Sequence, residues 1–238
     1  ADDDNLTATR TFTDSNAAHF TAAGLGGAIN VTTAINVTTI NVSGATYTFT
    51  GGQNLNITNG ISVTDSGVAT FDKVAGELKN VYIAGTASKL TISSGDVSVN
   101  AFSSEGTFTT GGNLAIKSAV TNGGSVVAGG NVTLASGTEN VFGSLNATGK
   151  VTGASKLTVG GASAIGSVEG IGTLALNGGT LSLGNASGLA NTQLGGALTL
   201  TGEAVNLGAV TMADGSSISS SKVVVANGIT VSGTGTVK

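Results

Sequence analysis

Apolar and polar residues alternate with a period of two along most of the chain. Ile29-Asn30-Val31, Ile35-Asn36-Val37, Ile40-Asn41-Val42, Leu90-Thr91-Ile92 and Leu157-Thr158-Val159 each set two aliphatic side chains on one face and a polar one on the other. That is the side-chain geometry of a half-buried strand. The alternating segments are short, and Gly, Asn or Ser clusters punctuate them. Strong helix formers other than alanine and leucine are scarce. The pattern predicts an all-β protein.

A longer repeat lies over this alternation. Gly111-Gly112 precedes Leu114 and Ile116, and Gly129-Gly130 precedes Val132 and Leu134. Gly178-Gly179 precedes Leu181 and Leu183, and Gly195-Gly196 precedes Leu198 and Leu200. The word Gly-Gly-x-Φ-x-Φ, with Φ apolar, therefore returns at nearly equal intervals, from Gly111 to Gly129 and from Gly178 to Gly195. Gly160-Gly161 keeps the spacing but carries Ser163 in the first apolar slot. A second word, Ser-Lys-Φ, occurs at Ser88-Lys89-Leu90, Ser155-Lys156-Leu157 and Ser221-Lys222-Val223. A period this short fits one coil of a right-handed parallel β-helix, or β-solenoid, of roughly 12–13 coils of about 17–20 residues. An antiparallel sandwich or barrel also strings short strands together, but it usually carries aromatic anchors and charged outer faces, which are thin here. Residues 1–25 differ from the remainder and read as an N-terminal arm or cap, with residues 26–238 as the solenoid.

Composition sharpens this picture. Of 238 residues 39 are glycine, and proline, cysteine and tryptophan are absent. Every strand N–H in a stack of coils is needed for a ladder bond, so a missing proline is what a solenoid predicts. Missing cysteine removes disulfides and thiolate metal sites. Charged residues make up 9%, the formal net charge is −4 and mean hydropathy is +0.31. That combination excludes the disordered class, and the scattered basic residues leave no footprint for nucleic acid. No apolar run of about 18 residues exists. Aromatic residues, at 4%, are too few for the two girdles of a membrane barrel. Neither nucleic acid nor membrane insertion is expected.

Candidate chemistry is sparse. Asp2, Asp3 and Asp4 alternate in direction on an extended chain and chelate poorly, which reads as a solvated segment. His19 is the single histidine, and no Gly-x-Ser-x-Gly elbow accompanies it. Asp14, Asp65, Asp72, Glu77, Asp96, Glu105, Glu139, Glu169, Glu203 and Asp214 share no register, so the paired carboxylates of a glycan-cleaving β-helix are not found. Thr46, Thr48 and Thr50 share a face, as do Thr107 and Thr109. This falls short of the coil-after-coil ranks of an ice-binding solenoid and reads as a polar outer face. Inward-facing asparagines are expected to stack in ladders. No enzyme activity, cofactor or metal is expected.

The stretch from Asn113-Leu114-Ala115-Ile116 to Gly129-Gly130-Asn131-Val132-Thr133-Leu134 resembles repeats of filamentous-haemagglutinin-type and autotransporter passenger solenoids. Leu176-Asn177-Gly178-Gly179-Thr180-Leu181-Ser182-Leu183-Gly184-Asn185 is similar to the autotransporter-associated β-strand repeat. Phe12-Thr13-Asp14-Ser15-Asn16 with Gly26-Gly27-Ala28-Ile29 resembles the paired motifs of polymorphic outer-membrane passengers. The resemblance implies a secreted, surface-exposed bacterial protein with a right-handed parallel β-helix. It departs from the family at Lys238, where an aromatic residue would close a translocator barrel, so a released passenger or separate secreted subunit is expected.

Leu6 to Thr13 and Gly228 to Lys238 both read as strands, and an unpaired strand edge invites pairing with another copy. Leu6, Thr7, Thr9, Thr11 and Thr13 at one end, and Ile229, Val231, Thr236 and Val237 at the other, are the candidate interface of a head-to-tail homopolymer. The expected function is that of an extracellular structural subunit in a surface or matrix fibre. The alternative is a monomeric adhesin that binds a host or matrix glycan or a host protein.

Overall fold

The structure, a computed structural model, describes residues 16–24, 26–51, 55–222 and 224–238. Most of the described residues lie in strands, and their parallel stacking makes a β-solenoid of about 11 turns. The described residues contain one 3-10 turn, Ala22–Gly24, and no α-helix. The chain divides into two compact units, Ala1–Lys117 and Ser118–Lys238.

In the N-terminal unit each coil contributes to three parallel ladders. The long strands Ile35–Ser43, Leu55–Thr64, Glu77–Ile83 and Val97–Ser104 each run along two of them. The shorter strands Thr46–Thr50, Val68–Phe71, Lys89–Ile92 and Thr107–Thr110 form the third. The bend in the first long pair shows as a register slip: Val37 faces Ile57, but Thr39 faces Gly60. Ala18–Phe20, the first described strand, lies in register with Ile40–Val42. Ile40 then faces Ile61, Ile61 faces Val81 and Val81 faces Phe102. Each of these steps is longer than the interval from Gly111 to Gly129 or from Gly178 to Gly195. Longer coils are why about 11 turns replace the expected 12–13.

Alternation delivers the core. Val37, Ile40, Val42, Ile57, Ile61 and Val63 point inward and are at most 2% exposed. Coils stacked in register place like residues on like. Phe49 and Phe71 are stacked with ring centroids 4.4 Å apart, and Phe20 meets Phe49 edge-on at 5.1 Å. Full burial of such a side chain stabilises by about 1.5–3 kcal/mol relative to exposure.

In the C-terminal unit the long strands are Ser144–Thr152, Ala162–Glu169 and Thr180–Ser187. A separate ladder of short strands comprises Glu139–Phe142, Lys156–Val159, Thr173–Leu176, Asn191–Leu194, Ala209–Met212 and Ile229–Val231. Lys156 faces Thr173, and Asn191 faces Ala209, which is the shorter step of the glycine words. The core here is mostly Leu, Val and Ile, with Phe142 fully buried.

The glycine pairs mark corners, though not a single corner. Gly129-Gly130 precedes Val132–Leu134, which faces the second half of a long strand at Val151. Gly178-Gly179 precedes Thr180, in the first half of the next-but-one. Both Gly178 and Gly179 have positive φ, 76° and 67°, which an L side chain adopts with difficulty. Ser163, the odd residue in the repeat, is buried because its hydroxyl accepts from the Leu145 N–H at 3.1 Å and donates to the Gly160 carbonyl at 3.0 Å.

The asparagine ladders form outward rather than inward. Asn56 donates to Asn36 at 2.8 Å, and Asn80 donates to Asn59 at 3.3 Å, all on solvent-facing positions. Inward slots demand apolar side chains that need no partner. Asn140 is the asparagine buried among the described residues, and it accepts from Val120 N–H while donating to the Thr138 hydroxyl.

Candidate assembly surface and cross-coil clamps

The last described coil carries four of the nine candidate interface residues. Val224–Val225, Ile229–Val231 and Thr236–Val237 pair in parallel with the coil before them. Ile229 faces Val210, Val231 faces Met212 and Val237 faces Ile218. Those three partners are at most 4% exposed, whereas Ile229, Val231 and Val237 are 47%, 43% and 54% exposed. The side chains thus occupy core register with nothing above them among the described residues. The outer N–H and C=O groups of the same strands have no ladder partner among the described residues either. Thr236 is exposed beside Val237 and faces Ser217. Leu6, Thr7, Thr9, Thr11 and Thr13 lie outside the described residues, as do Asp2, Asp3 and Asp4.

The sequence reading missed Val225, 53% exposed, because it sits on the outward face opposite Asn206. It also underestimated the threonines. Thr48, Thr70, Thr91 and Thr109 stand directly in register across four successive coils. The Φ-x-Φ words held this signal, since the first three of these residues are the middle positions of such words. Asp72 and Lys89 flank the column and interrupt the ranks beside it.

Aspartates fasten coil to coil at the turns. Asp65 accepts from the Ser43 hydroxyl at 2.6 Å and from Thr64 at 3.1 Å. Asp96 accepts from both the backbone N–H and the side-chain amide of Asn113, each at 3.0 Å. Asp214 accepts from the Thr234 N–H at 2.7 Å and its hydroxyl at 2.8 Å. Donors aimed at the ionised carboxyl hold all three below the ordinary carboxylate range. Ser43 is the chief cause at Asp65, the Asn113 backbone at Asp96 and the Thr234 backbone at Asp214. Asn131 and Asn185 act alike without charge, accepting from Lys150 N–H and Ala204 N–H of the following coil.

Some of the other polar side chains also pair across coils. His19 is exposed and faces the Asn41 amide at 3.4 Å. Glu77 pairs with Lys117, Glu169 with Lys150 and Glu203 with Lys222, all solvent-exposed and so worth little each. Among the described residues no three His, Cys, Asp or Glu side chains cluster as metal ligands would. Every buried side-chain polar atom among them has a hydrogen-bond partner.

Compared with protein-family models, with curated proteins and with solved structures, the chain matches none. The fold and the chemistry of its faces therefore carry the functional reading.

Proposed function

We propose that this protein is a non-enzymatic structural subunit whose β-solenoid stacks end to end on further copies of itself to make a fibre. One observation supports the reading above others. Ile229, Val231 and Val237 sit in core register yet are about half exposed, on strands whose outer ladder edge is unpaired among the described residues. A further coil laid there completes three apolar stacks, at about 1 kcal/mol for each half-buried side chain, and it satisfies a row of backbone donors and acceptors. Scarce charge, 9% of residues, keeps like coils from repelling one another. The resemblance of the repeat sequences to secreted passenger solenoids supports reading the fibre as extracellular, on a surface or in a matrix.

Negative-stain microscopy and light scattering over a concentration series test this. Fibres that lengthen with concentration are expected, and Val231→Lys, which sets a charge in the open core, is expected to stop them at single subunits. Monodisperse short rods at every concentration overturn the proposal, as do fibres unaffected by Val231→Lys and Val237→Lys together.

A further inference from the structure

The outward face of the short-strand ladder in the C-terminal unit is concave. Thr158, Ala175, Gln193, Thr211 and Thr230 follow one another in register up this face. The first four of them line a groove of about 560 Å³. The hollow arises at Ala175, a methyl group where its neighbours in the column carry hydroxyl or amide side chains. Asn177, Asp214 and Ser232, on the turns that leave these strands, form one wall. Lys156, two positions before Thr158 on its strand, flanks the other side.

The wall is rigid. The N–H groups of Asn177, Gly195, Ala213 and Ser232 each donate to a carbonyl of the preceding coil, at 2.8, 2.7, 2.8 and 2.9 Å. Asp214 is held in place by Thr234. A ligand would meet preset groups and need to order few of them.

We propose that this groove binds a linear, uncharged polysaccharide segment lying across the strands. Four coil-to-coil steps at about 4.8 Å give a track of about 19 Å, suited to a chain rather than a compact metabolite. Its polar groups are chiefly hydroxyls and carboxamides, which donate and accept alike and so match sugar hydroxyls. One cation, Lys156, and one anion, Asp214, balance each other and offer no net attraction to a polyanion. A peptide would lack its usual means of docking, because the strands of the groove floor are already laddered on both sides up to Ala209–Met212 and leave no edge for strand addition. The small floor residue lets a sugar ring approach the sheet. This binding does not depend on end-to-end stacking.

Affinity gel electrophoresis with mixed-linkage β-glucan, dextran and galactomannan tests the proposal, with polygalacturonate and heparin as charged probes. Retardation by at least one neutral polymer is expected. Ala175→Phe, which fills the hollow, should abolish it, and Gln193→Ala should weaken it about tenfold. Tyr82→Ala, at an exposed position in the N-terminal unit, should leave it unchanged. Thermal melts establish that the variants fold. Should Ala175→Phe fail to fold, Gln193→Ala on the exposed face carries the test. Absence of binding to all three neutral polymers overturns the proposal. So does binding that both groove variants leave intact, and so does preference for polygalacturonate or heparin.

Discussion

In the N-terminal unit the bend of the long strands carries Thr39, Asn59 and Asn80, whose side chains hydrogen-bond from coil to coil on the outside, with a single glycine, Gly60, packed against the Asn80 backbone. In the C-terminal unit the bend falls at Gly149, Gly166 and Gly184; Gly149 packs under the Asn131 side chain, and at Gly166 and Gly184 backbone packs on backbone. A β-carbon on Gly184 would run into the carbonyl oxygen of Gly166, and one on Gly166 into that of Thr148. The cores differ as well. Rings of Phe20, Tyr47, Phe49 and Phe71 pack against one another in the first unit, and aliphatic side chains fill most of the second. The coils differ in length too: a longer one carries the chain from Ala18 to its partner Ile40. The steps from Lys156 to Thr173 and on to Asn191 are shorter.

The largest effect that separates the units is expected from the aromatic stack. Phe71→Ala removes a fully buried ring from between Phe49 and the coil above, a loss of about 3–5 kcal/mol. Hydrogen exchange should then rise across Thr46–Thr50 and Lys89–Ile92 while Thr173–Leu176 stays protected. Equal loss of protection in both units would show that they unfold as one and that the contrast has no energetic meaning.

A smaller effect is expected at the corners. Gly184→Ala forces the coils apart and should cost about 1–3 kcal/mol in denaturant unfolding. Asn80→Ala removes one exposed hydrogen bond and should cost under about 1 kcal/mol. Similar costs for the two would erase the distinction between backbone and side-chain corners.

The smallest effect is shared by both units. Asp65 and Asp96 in the first, and Asp214 in the second, have folded pKa values below the ordinary carboxylate value. Their contribution is complete above the unfolded-state pKa and is lost as pH falls through the lower folded-state values. The melting temperature should hold down to about pH 5 and decline toward about pH 2. Replacing all three by Asn should flatten that decline; an unchanged acid slope would mean that the clamps contribute nothing.

The fold class was readable because Φ-x-Φ words and glycine pairs are local, and a coil is built from local pieces. Coil length in the N-terminal unit was not readable, since several of its corners lack a glycine pair. At one of them Asp65 and Ser66 adopt positive φ, 54° and 62°, the backbone that glycines supply elsewhere. The candidate end surface was partly visible, as strand-like sequence through Ile229, Val231 and Val237. That these three are open while Val210, Met212 and Ile218 are closed depends on register. The groove was invisible for the same reason. Ala175 forms a hollow only because the coil-to-coil register brings Thr158 and Gln193 to either side of it.

The ladders of each unit also set how it bears load. Their N–H···O=C bonds point along the stacking direction, so tension on that axis loads the rungs between two coils together, as cords in a cable share a weight. Tension on a single strand end opens them one after another, like a zip. A material of such coils would be stiff when stretched along the stack and would part by unravelling, coil by coil, wherever a strand end is caught.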